Sequence, residues 1–300
     1  MDRSSIKKEE DIMELINLNQ LKYLMNKYDI KPNKRMGQNF LIDNNIITKI
    51  IKGAYVEGGY VVEIGPGMGS LTVGLAQTAK KVIAVELDKK LLPVLEETTG
   101  KYPNVEIING DALQVDFDEI MRERGVQEPY SVVANLPYYI TTPIIMHLLE
   151  SGFNIDKLVF MIQKEVAARM LAGPGTKDYG ALTLGVQYYT EASHVAKVPP
   201  TVFIPKPEVD STVIKLLKRP KPQVDVKDER FLFKVIKAGF GKRRKTILNS
   251  LFNSELNVTK ESIVAACSLS QVSPQKRMEQ LSIQEIARLT DQLYQLTVNN

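Results

Sequence analysis

The chain holds one cysteine, Cys267, among 300 residues. A lone thiol excludes a disulfide framework and a thiolate metal cluster. Histidine is nearly as scarce, with only His147 and His194, so a histidine-rich metal site is not expected. No apolar run approaches the roughly 18 residues that read as a spanning helix, so no membrane segment is expected. The start, Met1-Asp2-Arg3-Ser4, lacks the apolar core of a secretory signal, which points to the cytoplasm. Nothing demands a partner helix or sheet edge, and a monomer is expected.

What is present is an ordinary globular composition, 44% hydrophobic and 25% charged. The net charge of +4 is unevenly spread: Lys215–Lys245 carries 12 Lys or Arg against 3 Asp or Glu. Such an excess attracts a phosphate backbone, a solvated basic face being the plainer reading. The length suits one large domain and a smaller one.

Residues 1–30 read as a helical extension, with Ile12, Leu15, Leu18 and Leu21 near helical spacing. The segment Lys31–Leu41 is basic, contains Pro and Gly, and reads as extended. Lys34 and Arg35 suit phosphates, and Gln38 and Asn39 suit hydrogen bonds to a small molecule. Asp43 is placed to cap a helix from Asn44 to about Gly53.

A strand, Tyr60–Ile64, then runs into Gly65-Pro66-Gly67-Met68-Gly69, with a helix starting near Ser70. Glycine lets the backbone turn tightly and approach a ligand. The spacing is Gly-x-Gly-x-Gly, not the Gly-x-Gly-x-x-Gly of dinucleotide sites. Glu63 at the strand end suits a cationic or amine-bearing ligand, and S-adenosylmethionine carries both a sulfonium and an amine. A second strand ends at Glu86, 21 residues after Gly65, where a carboxylate accepts ribose hydroxyls. Asp88 beside it reads as a helix cap. A third strand, Val105–Ile108, ends near Asp111, whose carboxylate suits an adenine amino group.

A fourth strand, Tyr130–Ala134, ends at Asn135-Leu136-Pro137-Tyr138-Tyr139. There an amide, a stiffened turn and a ring for stacking stand on the sheet rim that binds ligands in open α/β folds. A strand end with core aromatics is the alternative. A fifth strand, Leu158–Ile162, leads into a helix, and 173–180 is a loop. Leu182–Tyr189 and Ser211–Leu217 read as two final strands. Between them four prolines in Val198–Pro207 make a stiff loop that holds Phe203, a second ring to clamp a base against Tyr138. The domain boundary is read in Lys218–Lys227, giving an extension 1–30, a catalytic domain 31–220 and a helical domain 221–300. Leu281, Ile286, Leu289 and Leu293 belong to the last helix's apolar face.

These motifs together resemble the ribosomal RNA adenine N6-dimethyltransferases, in particular the bacterial small-subunit group linked to kasugamycin sensitivity. The likeness covers residues 20–295. Arg35–Leu41 matches the N-terminal motif, with Met36 where Phe or Leu is more usual; Phe203–Ser211 matches the late motif and Phe240–Asn249 the basic one. The resemblance implies a Rossmann-like class I methyltransferase sheet with helices on both faces, plus a small all-helical C-terminal domain that recognises RNA. It implies S-adenosylmethionine, leaving as S-adenosylhomocysteine, held by Gln38, Asn39, Leu41, Glu63, Gly65, Gly67, Gly69, Glu86, Leu87, Asp111, Ala112 and Asn135. Asn135, Leu136, Pro137, Tyr138 and Phe203 would form the catalytic group. Lys34, Arg35, Lys242, Arg243, Arg244 and Lys245 would meet RNA. The implied substrate is two adjacent adenosines in the 3′-terminal hairpin loop of 16S rRNA in an immature small ribosomal subunit, each receiving two methyls.

Three rivals stay open. The related macrolide-resistance enzymes act on 23S rRNA and tend to be shorter, and DNA adenine enzymes usually carry an acidic residue where Asn135 stands. A non-catalytic ribosome assembly factor is opposed by the intact glycine loop, Glu86, Asp111 and Asn135–Tyr138. A nicotinamide oxidoreductase is opposed by the glycine spacing.

Overall fold

A computed structural model of the chain describes residues 16–33 and 36–298. Ile12, Leu15, Lys34 and Arg35 lie outside the described residues. Nine strands form among the described residues: β1 (Phe40–Leu41), β2 (Tyr60–Ile64), β3 (Lys81–Glu86), β4 (Val105–Asn109), β5 (Tyr130–Asn135), β6 (Ile155–Gln163), β7 (Thr190–Val198), β8 (Phe203–Ile204) and β9 (Ser211–Lys218). Seven of them make one sheet in the order β4-β3-β2-β5-β6-β9-β7. β4, β3, β2, β5 and β6 run parallel, and β9 is antiparallel to β6. Parallel strands are covered on both faces, so they read as apolar runs. Val61, Val62, Val132, Val133 and Leu158 are accordingly fully buried. β1 and β8 pair separately, Leu41 opposite Phe203.

The sheet grows from β2 toward β3 and β4 on one side, and from β5 toward β6 on the other. That reversal is a topological switch point, which opens a crevice at the carboxyl ends of β2 and β5. Local chemistry holds the crevice walls. The helix Asn44–Ala54 starts where the Asp43 carboxylate accepts the Ile46 N–H at 3.0 Å, and it buries Ile46, Ile47, Ile50 and Ile51. The helix Leu18–Lys27 starts at a capping box of Asn17 and Gln20. Its Leu21 and Leu24 share a cluster with Phe40, Met68, Leu91 and Val94. Burying a leucine such as Leu21 contributes about 1.5–3 kcal/mol.

The expected strand over Leu182–Tyr189 is instead a helix, Ala181–Tyr189. Leu182, Thr183, Leu184, Gly185, Val186 and Tyr188 are all buried. A short run buried all round carries no period that separates helix from strand. The other outer strand of the sheet is β7, whose polar, partly exposed sequence carries little alternation.

The chain forms two compact units. One runs to Ala167 and resumes over Ser193–Lys218; the other takes Ala168–Ala192 and Arg219–Asn300. The expected boundary near residue 220 thus gives way to an interleaved one, with the helix Ala181–Tyr189 in the second unit. That unit also holds helices Glu229–Gly241, Ile247–Phe252, Lys260–Leu269 and Ile283–Val298. Asp228, Thr246 and Thr259 cap three of them through side-chain oxygens. Leu232, Ile236, Leu251, Cys267, Ile286 and Leu289 fill its core. Leu281 is buried there too, but precedes the last helix.

Candidate active site

A cavity opens at the carboxyl ends of β2, β3 and β5. Every expected cofactor and catalytic residue lines it except Gly69 and Phe203. Glu63, at the end of β2, is 1% exposed and its Oε2 has no hydrogen-bond partner among the described residues. The buried Thr72 hydroxyl beneath the same loop also lacks one. Burial pushes the Glu63 carboxyl up to about 8, opposed in part by the nearby Thr72 hydroxyl and assisted by the charge of Glu86. Glu86 is also buried, but its Oε2 accepts the Gly67 N–H at 3.1 Å and its Oε1 the Asp88 N–H at 2.9 Å. Burial raises its pKa and these backbone donors oppose the rise. Asp111 Oδ1 accepts the Leu113 N–H at 3.0 Å, as in a turn.

Two glycines of the loop act differently from the third. Gly65 has φ +65° and open space where a Cβ would stand. Gly67 has φ +63° and lies against the Phe40 ring. Gly69 caps the helix Ser70–Ala76 at φ +86°, and a Cβ there would come 2.6 Å from Thr98 Oγ1. It makes helix packing possible and does not line the cavity.

On the other side, Asn135 Nδ2 donates to the Asn39 carbonyl oxygen at 3.0 Å. A carbonyl only accepts, so the amide's nitrogen end is fixed there and Oδ1 remains as its acceptor. The Leu136 N–H donates to the Met161 carbonyl at 3.2 Å. The Tyr138 hydroxyl lies 2.7 Å from Ser211 Oγ. Burial raises the Tyr138 pKa, with Ser211 opposing.

Phe203, expected to clamp a base against Tyr138, does not line the cavity. The proline-rich segment folds as a short turn plus β8, and pairing with β1 turns Phe203 into the core beside Leu41, Val198 and Val202. The other aromatic residues on the cavity wall are Phe40, which is buried, and Tyr139, 56% exposed.

Sequence reasoning gave Ser70 and Ser211 no role in the site, included Tyr139 in the strand-end stretch without a role of its own, and ranked Asp88 below Glu86, as a helix cap. Asp88 does cap, accepting the Lys90 N–H at 3.1 Å. It also accepts from Gln38 Nε2 at 2.9 Å, while Gln38 Oε1 accepts the Asn33 N–H at 2.8 Å. The side chain of Gln38 thus ties the segment before β1 to the end of β3. The adjacency of Ser70 to the glycine loop was the one signal that pointed to it.

Lys242, Arg243, Arg244 and Lys245 form an exposed turn in the second unit. Lys242 donates to the Asn253 carbonyl at 3.1 Å and Arg243 pairs with Glu279 at 2.9 Å.

The residues fit S-adenosylmethionine. An orphaned, buried carboxylate at Glu63 suits a cationic amine, Gly65 lets a ligand approach the backbone, and Glu86 keeps spare lone pairs for hydroxyls. No helix among the described residues is long and apolar enough to cross a membrane.

The chain is similar to known proteins over most of its length. Residues 30–295 match the family model of the ribosomal RNA adenine dimethylases. A ribosomal RNA small subunit methyltransferase A from Alkaliphilus oremlandii is 49% identical over 273 residues, covering 91% of this chain and 95% of that protein. Its counterpart from Anoxybacillus flavithermus is 51% identical over 277 residues, covering 91% and 94%. Among solved structures, a dimethyladenosine transferase from Plasmodium falciparum superposes with a TM-score of 0.68 at 28% identity, covering 83% of this chain and 95% of that one. A 23S rRNA methyltransferase, ErmE, superposes with a TM-score of 0.65 at 28% identity, covering 85% and 100%.

Proposed function

The chain belongs to the ribosomal RNA adenine dimethylase family, and from that premise we propose a division of labour in its cavity and an RNA target. It is an S-adenosylmethionine-dependent rRNA adenine dimethyltransferase of the small-subunit type. The two structural likenesses, to a dimethyladenosine transferase and to a 23S rRNA methyltransferase, both stand at 28% identity and do not choose between RNAs. The 49% and 51% identities to small-subunit enzymes favour the small-subunit RNA. The target is two adjacent adenosines in the 3′-terminal hairpin loop of 16S rRNA, methylated twice each in an immature subunit.

When bound, S-adenosylmethionine supplies an electrophilic methyl on a sulfonium. Glu63, Glu86 and Asp111 hold its amine, ribose and adenine. The protein's task at the other substrate is to present a nitrogen. The N6 of adenine is a weak nucleophile because its lone pair is delocalised into the ring. Asn135 Oδ1 and the Leu136 carbonyl accept its N–H bonds, favour a more pyramidal nitrogen and aim the lone pair at the cofactor half. Tyr138 stacks on the base, with roughly 1–3 kcal/mol available per stacked base. The single observation that supports this is the Asn135 amide on the cavity wall, held by its nitrogen on the Asn39 carbonyl, which leaves Oδ1 as its acceptor. The amine attacks uncharged, and the proton leaves afterwards to water.

Arg244 and Lys245, exposed and outside the ion pair of Arg243, are proposed RNA backbone contacts together with Lys34 and Arg35. Charge reversal at Arg244 and Lys245 should flatten the salt dependence of subunit binding.

The deciding test maps N6,N6-dimethyladenosine by mass spectrometry in rRNA from cells with and without the gene. Loss confined to two neighbouring adenosines of 16S rRNA is expected. A modification in 23S rRNA, or none, overturns the assignment.

A further inference from the structure

Tyr138 and Ser211 stand 73 positions apart, yet their hydroxyls meet at 2.7 Å. Tyr138 follows β5, whereas Ser211 opens β9, opposite Gln163 of β6. Its side chain is part of a residue only 1% exposed. The tyrosine therefore reaches from the end of β5 past β6 to a buried hydroxyl on β9. Its ring is held at both ends, by its own backbone and by its phenol.

We propose that Ser211 is a positioning residue that fixes the Tyr138 ring for the second methyl transfer to each adenine. This rests on the reading of Tyr138 as the stacking platform for the base. Before the first transfer, N6 carries two N–H bonds, and both Asn135 and Leu136 can accept one. After it, a single N–H remains and one acceptor has nothing to take. Orientation of the base about the glycosidic axis then depends more on the ring beneath it. A ring free to tilt costs the second transfer more than the first. The chemistry of each transfer is otherwise the same: the N6–C bond forms, the methyl leaves its sulfur, and the nitrogen's proton goes to water.

The product ratio is the telling readout, because partial unfolding lowers both transfers equally and leaves the ratio alone. Ser211→Ala should raise the ratio of monomethylated to dimethylated adenine about three- to tenfold at matched turnover, the range a lost neutral hydrogen bond supports. Cofactor affinity by calorimetry should stay at the wild-type value. Ser211→Thr, which keeps the hydroxyl, should restore the ratio. Tyr138→Phe should reproduce the Ser211→Ala ratio, and the double variant should be no worse than either single one. An unchanged ratio in Ser211→Ala, or additive effects in the double variant, overturns the proposal. Normal activity in Tyr138→Ala would instead remove Tyr138 from the base platform and sink the reading beneath it.

Discussion

The two halves of the cavity are built from opposite materials. The cofactor half presents three carboxylates at three strand ends, each solvated differently: Glu63 with an orphaned oxygen, Glu86 with a backbone donor on each oxygen, and Asp111 in a turn. The base half presents uncharged groups, each tied down: the Asn135 amide to Asn39, the Leu136 N–H to Met161, the Tyr138 hydroxyl to Ser211. Charge recognition tolerates spare valence, since a cation or hydroxyl supplies the missing partner on arrival. Aiming a weak nucleophile does not, since a small misalignment of the reacting atoms costs about 100-fold.

The contrast can be broken most directly at Asn135. Asn135→Ala should lower turnover by about 100-fold or more while cofactor affinity stays near wild type. Normal methylation by this variant would end the role assigned to the amide. Glu86→Ala should do the reverse, weakening cofactor binding by about tenfold or more, as befits lost charge-assisted hydrogen bonds. Calorimetry at saturating rRNA-free conditions reads that loss, and an unchanged affinity would remove Glu86 from the ribose site.

The glycines sharpen the contrast at smaller cost. Gly69→Ala meets both a left-handed φ and Thr98, and should destabilise the fold by about 1–3 kcal/mol, read in thermal unfolding. Gly65→Ala has open space around it, so its Tm should fall less and its cofactor affinity more. Equal behaviour of the two would merge the packing and binding roles that Gly69 and Gly65 occupy separately.

A last effect, confined to one pH window, concerns Glu63. In the folded chain its carboxyl keeps a proton up to about 8, against an ordinary value of 4.5. The folded state therefore binds more protons across that window. Its contribution to stability is fully present below 4.5 and is lost as pH rises toward about 8. Glu63→Gln should flatten the fall in Tm of the ligand-free protein between pH 6 and about pH 8.5. A fall as steep as wild type would mean that Glu63 ionises freely in the fold.

Much of this frame was legible because parallel strands advertise themselves. Apolar runs that stop at Gly65, Glu86 or Asn135 give both the sheet and its ligand-bearing rim. Ala181–Tyr189 was not legible, since burial on all sides erases the period that marks a helix. Nor was the direction of Phe203, which depends on pairing with Leu41, a residue far away in the chain. The open or satisfied state of Glu63 and Glu86 is also invisible in sequence, where both are glutamates closing apolar strands. Gly69 fits the motif as well as Gly65 does, and only the nearness of Thr98 tells their tasks apart. Ser211 closes the late motif, but its bond to Tyr138 was not legible, because that partner is 73 positions away.

The bond from Asn135 to Asn39 has a consequence for mutagenesis. Its acceptor is a main-chain carbonyl, which every amino acid supplies. Alanine at position 39 would keep that carbonyl. Only displacing the strand itself would remove the acceptor. For this one bond position 39 is buffered against substitution, and the vulnerable points are the anchors of its backbone: Gln38 on Asp88, Phe40 in the cluster of Leu21 and Leu91, and Leu41 opposite Phe203. Inherited damage to the amide's aim would therefore surface at those neighbours, under the guise of packing defects.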